Sequence, residues 1–300
     1  MAYTFQAPKV FEEQSAGFKK AHVSVTNLIR KGWQVELKYD GVFSAINTAT
    51  CVAISRDGNE QAAAGRIVEH YQKTLGEGHY VFGELWVPST EHRVINGMAR
   101  RKEVQPLHFR AFDCITVNEF LNSKSGRTHH ERKHVLLGTE TDLYKPSASF
   151  NLADYVDPAN FTDKDLSQVA YDLCQWSEGK DAYDGLIIRD PDAIWTPGAT
   201  KQGEVLKLKG ETSLDLRVVG EVVEDRPTKL GGYVTVIYKG VKSNVGSGLT
   251  QDQLKAVKEG RYSFVGRVVE VTCLGVNASG ALREPRLKGV RHDTLPEEEK

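Results

Sequence analysis

Cysteine is scarce in this chain of 300 residues. The four cysteines, Cys51, Cys114, Cys174 and Cys273, stand far apart and form no CxxC pair or Cys/His cluster. A structural zinc site needs closely spaced ligands, and a disulfide scaffold needs a denser set of cysteines. The spacing therefore excludes both classes, and we expect reduced thiols.

Long apolar runs are also missing. No stretch approaches the roughly 20 apolar residues that a membrane helix requires. The opening residues, MAYTFQAPKVFEEQ, have neither the basic flank nor the apolar segment of a secretory signal. We therefore expect a cytoplasmic protein with no membrane partner.

A strong excess of one charge is absent as well, because the net charge is −1. The charges are nevertheless unevenly distributed. Residues 214–296 carry 13 Lys and Arg against 9 Asp and Glu, whereas residues 1–213 carry 25 against 28. A mildly basic C-terminal part is compatible with a partner that has a phosphate backbone.

The pattern of apolar residues changes once along the chain. Before about residue 210, helical patterns alternate with strand patterns. From Leu214 onward, short β-rich runs with glycine-bearing turns surround a single helix at 250–259. We predict an α+β domain of antiparallel sheets and helices at residues 1–212, and an OB-type β-barrel at 213–300. Near the N-terminus we predict a helix over 10–31 with four core residues, Phe11, Phe18, Val23 and Leu28.

The run VELKYDGVFSAI carries a lysine near the end of a predicted strand. Val35 and Leu37 alternate with polar residues, so Glu36 and Lys38 share the opposite face, towards a cleft or solvent. Asp40-Gly41 then predicts a tight turn into a returning strand. A lone lysine on a strand is ordinarily a solvated charge, so the interpretation of Lys38 depends on the rest of the chain.

Lysines and carboxylates interrupt several other apolar strands. Lys207 and Lys209 are two residues apart in VLKLKG, so both ammonium groups point to one face, which is costly unless an anion lies between them. A phosphate fits this requirement. Glu84 and Asp184 add two carboxylates, and carboxylates beside a phosphate predict a Mg²⁺ ion. A lysine such as Lys38 facing a metal-bound triphosphate indicates formation of a lysyl-nucleotide.

The order of these motifs resembles that of the covalent nucleotidyltransferases, which comprise DNA ligases, RNA ligases and mRNA capping enzymes. The run Lys38-Tyr39-Asp40-Gly41 is similar to their KxDG motif, and the last motif is similar to that of ATP-dependent DNA ligases, in particular the small two-domain ligases of bacteriophages. The other matching segments are, in order, Ser55-Arg56, Phe82-Gly83-Glu84, Ala111-Phe112-Asp113, Asp184-Gly185-Leu186-Ile187, Leu206-Lys207-Leu208-Lys209 and the stretch from Arg283 to Asp293.

The resemblance implies a role for each matched residue. Lys38 would be the adenylated nucleophile in a reaction with ATP, and Glu36 with the Leu37 backbone would bind the adenine edge. The remaining roles would be a base sandwich by Phe112 and Ile187, α-phosphate binding by Lys207 and Lys209, Mg²⁺ binding by Glu84 and Asp184, pyrophosphate orientation by Arg291 and Asp293, and binding of the 5′-phosphate at a nick by Arg56.

Two positions depart from the family pattern. Phe43 stands where KxDGxR has its arginine, and Asp184 replaces a glutamate. We therefore predict an ATP-dependent DNA ligase that acts as a monomer on nicked duplex DNA, with residues 1–212 as its adenylation domain. An mRNA capping guanylyltransferase, an RNA ligase and a non-catalytic nick-binding relative stay open as alternatives.

Overall fold

The computed structural model describes residues 3–147, 150–157, 159–175, 180–181, 183–200, 202–292 and 294–296. The chain divides into two compact units, the first formed by Met1–Leu173 with Gly179–Lys209 and the second by Cys174–Glu178 with Gly210–Lys300. No helix in the described part of the chain is long and apolar enough to cross a membrane.

Fifteen strands and eight α-helices are present in the described residues. The strands are β1 Gln6–Ala7, β2 Gln34–Tyr39, β3 Val42–Asn47, β4 Val52–Ile54, β5 His79–Trp86, β6 His108–Thr116, β7 Tyr144–Pro146, β8 Tyr183–Arg189, β9 Gly198–Ala199, β10 Val205–Leu208, β11 Thr212–Asp225, β12 Leu230–Tyr238, β13 Val241–Val245, β14 Val268–Cys273 and β15 Arg286–Arg291. The helices are α1 Ala16–His22, α2 Val25–Arg30, α3 Gly65–Leu75, α4 His92–Ala99, α5 Val117–Leu121, α6 His129–His134, α7 Asp163–Cys174 and α8 Gln251–Lys258.

The first unit contains a three-stranded sheet, β10-β8-β2, and a five-stranded sheet, β4-β3-β5-β6-β7. The strand, turn and returning strand predicted around Gly41 are confirmed, but β2 and β3 do not pair as a hairpin, since each joins a different sheet. Gly41 permits this crossing. A Cβ atom there would lie 2.2 Å from the Leu85 carbonyl oxygen, so only glycine lets the two sheets approach so closely.

Apolar side chains cover both sheets of this unit. One core packs α3 and α4 against the five-stranded sheet. A second core, which includes Phe43, Phe82 and Trp195, uses the strand residues of the same sheet that do not belong to the first core. A third core, with Leu28, Leu166 and Ile188, joins the three-stranded sheet to the N-terminal helices and α7. Phe43, Phe82 and Trp195 of the second core also line the cavity described below.

The prediction of one helix over 10–31 is wrong, because the segment is divided into three shorter helical elements. The segment forms a 3-10 turn at Phe11–Glu13 and then α1 and α2, with a break at Val23, whose φ is +65°. Val23 is 75% exposed and does not belong to the core, whereas Phe18 and Leu28 are buried as predicted. Ser24 caps α2 by accepting a hydrogen bond from the Asn27 N–H, so a local cap overrides the longer apolar pattern.

The second unit is a five-stranded antiparallel sheet in the order β13-β12-β11-β14-β15 around an apolar core, with α8 against β12. The long strand β11 pairs with β14 through its first half and with β12 through its second, with a register shift between Val218 and Gly220. An isolated bridge between Ser247 and Arg286 links the outer edges. The α+β class is confirmed, although the sheet is not a fully closed barrel.

Candidate active site

A cavity of about 310 Å³ opens in the first unit where the two sheets meet. Its walls combine apolar rings with a few polar groups, which is usual for a site that binds a small organic ligand. The lining residues used below are Gln6, Glu36, Leu37, Lys38, Phe43, Arg56, Glu84, Arg110, Phe112, Asp113, Ser147, Ile187 and Arg189. Among the residues predicted for nucleotide binding, Glu36, Leu37, Lys38, Arg56, Glu84, Phe112 and Ile187 therefore line one cavity.

The three-stranded sheet sets the positions of the polar groups on one wall. Ile187 of β8 pairs with Glu36 of β2 on one side and with Lys207 of β10 on the other. Because directly opposite residues in antiparallel strands point to the same face, these three side chains form a row. Lys38 follows Glu36 by two residues, and Lys209 follows Lys207 by two residues.

Asp184 forms ion pairs with two lysines of the predicted site, Lys38 and Lys209. Its Oδ2 atom lies 2.5 Å from Lys38 Nζ and 3.2 Å from Lys209 Nζ. Burial by itself raises the pKa of Asp184, but the two ammonium groups outweigh it and hold that pKa below its usual value. The neighbouring Gly185 has φ +105°, and a Cβ there would lie 2.1 Å from the Leu208 carbonyl oxygen, so glycine brings β8 and β10 together at this point.

Lys207 stands beside this cluster without an anionic partner within 4 Å among the described residues. Burial and the nearby ammonium groups of Lys209 and Lys38 lower the pKa of Lys207. An electrostatic strain of this kind is relieved by a bound anion. The phosphate-binding role of Lys207 stays a prediction.

Glu84 and Arg56 occupy the wall formed by the five-stranded sheet. Burial raises the pKa of Glu84 to about 7, against the opposing effect of Lys38 and Arg56, so both of its protonation states are populated near neutral pH. Arg56 lies 4.5 Å from the centre of the Phe43 ring, and burial lowers its pKa. Phe43, the departure from the family pattern, thus supports a cation–π contact with Arg56.

Glu36 is buried, and both of its carboxylate oxygens have partners. Oε1 is paired with Lys133 Nζ, and Oε2 accepts a hydrogen bond from Ser147 Oγ at 3.1 Å. Arg189 Nε lies 3.6 Å from the same oxygen. Burial alone raises the pKa of Glu36, but Arg189 and Lys133 together lower it, so this carboxylate is ionised. Any base-binding role of Glu36 depends on these cations.

Phe112 and Ile187 present apolar surface to the cavity from different sheets. The Phe112 ring lies 6.2 Å from that of Phe43, and the Arg189 guanidinium lies 5.7 Å from the Phe112 centroid. The two predicted sandwich residues are thus brought to one space, although they are 75 positions apart in the sequence.

A buried ion pair supports the strand that carries Phe112. Arg132 of α6 donates two hydrogen bonds to Asp113, at 2.8 and 3.0 Å, and both side chains are 2% exposed. His129 lies beside them, with Nδ1 3.7 Å from Asp113 Oδ2. Burial, reinforced by Arg189, lowers the pKa of His129 to about 4, so its imidazole is neutral at pH 7.

Asp184 also offers an atom for a metal ion. Its Oδ1 is buried and accepts no hydrogen bond from the described residues, and Glu84 lies near enough for their charges to interact. No cluster of three metal-ligating side chains occurs among the described residues. One or two carboxylates with waters and phosphate oxygens suit Mg²⁺ better than they suit zinc, so the donor set fits the predicted ion.

Arg291 belongs to the second unit, on β15. Its guanidinium lies 3.5 Å from Glu270 Oε2 and 3.7 Å from Asp215 Oδ1. Asp293 lies outside the described residues. The pyrophosphate role of both residues stays a prediction.

The sequence reasoning missed several residues of this cavity. Lys133 and Ser147 lie in segments without a motif, and nothing local marks them as partners of Glu36. Arg189 did leave a signal, because it follows Ile187 by two positions on one strand and so shares its face. Arg110 pairs with Glu84 across the sheet and lies 5.0 Å from the Trp86 ring centre.

Comparison with solved structures identifies the fold of this chain. A structure of a Lig E DNA ligase, characterised for DNA binding with a minimal scaffold, superposes with a TM-score of 0.68 at 17% identity over 97% of this chain and 100% of that one. This chain has the fold of a DNA ligase. The ATP-dependent DNA ligase of bacteriophage T7, in complex with ATP, gives a TM-score of 0.52 at 16% identity, over 96% and 99% of the two chains.

A third structure, named Pmar-Lig_PreS3, gives a TM-score of 0.68 at 20% identity, over 97% of this chain and 68% of that one. No protein-family model matches the sequence, and no curated protein matches it significantly. At these identities the similarity establishes the fold. The resemblance expected from the motifs is confirmed at that level.

Proposed function

We propose that this protein is an ATP-dependent DNA ligase that seals nicks between a 5′-phosphate and a 3′-hydroxyl in duplex DNA. One observation carries the proposal: Lys38, Asp184, Lys209 and Lys207 form a single cluster beside a cavity large enough for a purine base. A lysine beside an anion site, next to a base-sized cavity, is suited to nucleotidyl transfer.

In the first step, Lys38 Nζ attacks the α-phosphorus of ATP. A nitrogen–phosphorus bond forms, the bond between the α-phosphorus and its bridging oxygen breaks, and pyrophosphate leaves with the electron pair. Asp184, which holds Lys38 at 2.5 Å, orients the amine and is placed to take up its proton. Lys207 and Lys209 supply positive charge for the α-phosphate.

In the second step, a 5′-phosphate oxygen of the nicked strand attacks the adenylated phosphorus and releases Lys38. In the third, the 3′-hydroxyl attacks the 5′-phosphorus, and AMP leaves. Arg56, on the cavity wall, is the proposed ligand of the 5′-phosphate. Mg²⁺ held by Asp184 and Glu84 would supply charge neutralisation for the phosphates when bound.

Residues 1–212 are the proposed adenylation domain, and 213–300 are the proposed OB-fold domain that binds DNA. Arg291 of that domain is the proposed ligand of the leaving pyrophosphate. We further propose that the protein acts as a monomer in the cytoplasm, the host cytoplasm if it is viral. Support for the domain roles comes from the fold shared with DNA ligases.

The deciding experiment incubates the purified protein with Mg²⁺ and α-labelled ATP or, separately, α-labelled GTP. A denaturing gel detects covalent label, and a chase with nicked DNA or nicked RNA follows. Label from ATP that is lost during sealing of nicked DNA is the expected result.

Each alternative predicts a different result. Label from GTP alone would identify a capping-type guanylyltransferase, and sealing restricted to RNA would identify an RNA ligase. No label from either nucleotide, in folded protein free of bound AMP, would support the non-catalytic relative and overturn the proposal.

A further inference from the structure

A set of exposed cations lies on and directly after helix α4, and the proposed reaction steps do not use it. None of its members forms an ion pair or a side-chain hydrogen bond with the described residues; they are Arg93, Arg100, Arg101 and Lys102. We call this set the basic stripe. Residues 92–104 contain one carboxylate against these four cations, although residues 1–213 carry a small excess of acidic side chains. Positive charge is therefore concentrated at this segment.

The stripe begins on one side of the helix. Arg93, Gly97 and Arg100 are spaced by four and then three residues, so they share a face. The opposite face packs Ile95 and Ala99 into the core of the five-stranded sheet. The exposed face can therefore meet a partner without any change in the core.

Gly97 lies in the middle of this exposed face. A glycine inside a helix is less favourable than an alanine, because its backbone loses more conformational freedom on folding. Its φ is not in the left-handed region, and an added Cβ would meet no atom within 4 Å, so the fold does not require glycine here. The missing side chain lets a partner approach the helix backbone between the two arginines of the face.

Helix α4 begins beside the proposed nucleophile. Nδ1 of His92, its first residue, lies 3.9 Å from Oδ1 of Asp40, which follows Lys38 by two residues. At about 1.5 Å per residue, its 8 residues span about 12 Å. At about 3.4 Å per nucleotide along a strand, this length covers about three to four nucleotides. A 5′-phosphate delivered to Lys38 would bring the adjoining backbone of its duplex within reach of the stripe.

We propose that the basic stripe binds the phosphate backbone of the nicked duplex, within about three to four nucleotides of the nick. Guanidinium and ammonium groups pair with phosphate oxygens, and each such contact releases counterions from the DNA. The cations of the stripe can make these contacts without breaking an ion pair with the described residues. This inference rests on the proposed ligase function, and it adds a DNA-binding surface to the proposed adenylation domain.

The test measures binding of the full chain to a nicked DNA duplex that ends in a 3′-dideoxynucleotide at the nick, by fluorescence anisotropy at several salt concentrations. Arg100→Gln/Arg101→Gln should lower the affinity about 10- to 100-fold at about 0.1 M salt. It should also reduce the slope of log affinity against log salt by about 2, as expected for the loss of two phosphate contacts. Arg100→Lys/Arg101→Lys keeps both charges and should retain most of the affinity.

The matched control removes two exposed cations from helices that pack against the other sheet of the same unit. Lys20→Gln/Lys164→Gln changes α1 and α7 and makes the same change in net charge. It should bind the nicked duplex with the affinity and salt slope of wild type. A loss equal to that of Arg100→Gln/Arg101→Gln would show that net charge, and not the stripe, decides the affinity, and would overturn the proposal.

A pair of variants at Gly97 tests the same surface by charge alone. Gly97→Glu and Gly97→Gln add side chains of nearly equal volume, and both should raise the melting temperature, since both residues favour a helix more than glycine does. The glutamate variant should bind the nicked duplex about tenfold more weakly than the glutamine variant at low salt, and the difference should shrink as salt rises. Equal binding by the two variants would contradict a DNA contact at this face.

Covalent labelling from α-labelled ATP needs no DNA, so it separates this inference from the proposed function. If wild-type protein takes label and seals nicked DNA while Arg100→Gln/Arg101→Gln keeps the wild-type affinity and salt slope, the stripe does not contact DNA although the enzyme activity stands. If wild-type protein takes no label, or takes label and seals no DNA, the proposed function fails and this inference fails with it. Circular dichroism of each variant establishes that it is folded.

Discussion

The two units hold ion pairs of similar length in opposite surroundings. In the first unit, Arg132 and Asp113 lie 2.8 Å apart with both side chains 2% exposed. In the second, Lys258 and Asp225 lie 2.5 Å apart, but their side chains are 46% and 75% exposed. Water screens the exposed pair, whereas each buried partner has lost its hydration and depends on the other. Distance alone therefore says little about what an ion pair does.

The same contrast extends to the interiors. The described core of the first unit includes five buried charged residues, namely Glu36, Asp113, Arg132, Asp184 and Arg189, whereas that of the second includes Asp215. Three of the five line the cavity. Because buried charge is costly in a core whose only task is to fold, the buried charges around this cavity support the site proposed there.

The largest effect should come from Lys38→Arg. The substitution keeps a positive charge beside Asp184 but removes an amine that can lose a proton and attack phosphorus. We expect no covalent label from α-labelled ATP and an unchanged melting temperature. Lys258→Arg in the second unit is the control and should label normally. Wild-type labelling of the Lys38→Arg protein would show that another residue is the nucleophile.

Arg132→Met should strongly destabilise the first unit. It leaves Asp113 buried without its cation, which typically costs about 3–5 kcal/mol. Urea unfolding followed by tryptophan fluorescence is the measurement, because three of the four tryptophans, Trp33, Trp86 and Trp195, lie in this unit. Adding Asp113→Asn should restore part of the loss. A single-variant effect below about 1 kcal/mol would mean that water reaches the pair.

Acidification should weaken the first unit through His129, whose pKa burial lowers to about 4. Between pH 6.5, the ordinary pKa of histidine, and pH 4, His129 is protonated in the unfolded chain but neutral in the folded chain. Stability present above pH 6.5 is thus lost as pH falls towards 4. The loss is about 2 kcal/mol between pH 6.5 and 5. Fluorescence-detected urea unfolding at several pH values should show a flatter profile for His129→Gln, and identical profiles would contradict the assignment.

Lys258→Met should have the smallest effect. Its partner Asp225 stays hydrated when the ammonium group is removed, so we expect a change below about 1 kcal/mol in the free energy of unfolding. Circular dichroism melts of the whole chain provide the measurement. A loss comparable to that of Arg132→Met would break the comparison between the units, since exposure would then not decide the strength of a pair.

Local sequence determined the class of fold and pointed to Lys38 as the central residue of the candidate site. Period-two alternation shows which strand residues share a face, and it groups Glu36 with Lys38 and Lys207 with Lys209. The order of motifs along the chain then indicated a ligase fold, which the superpositions confirm. These properties can be predicted because they depend on residues that are neighbours in the sequence.

Only the tertiary structure decided which polar groups meet. Alternation gives the face of a strand but not its partner, so the separation of β2 and β3 into different sheets was not predictable from their turn. Lys133 reaches Glu36 across 97 positions, and Gln6 lines the cavity because β1 pairs with β9 near residue 198. Burial and pKa shifts arise from such distant contacts, because desolvation depends on everything that surrounds a group in space.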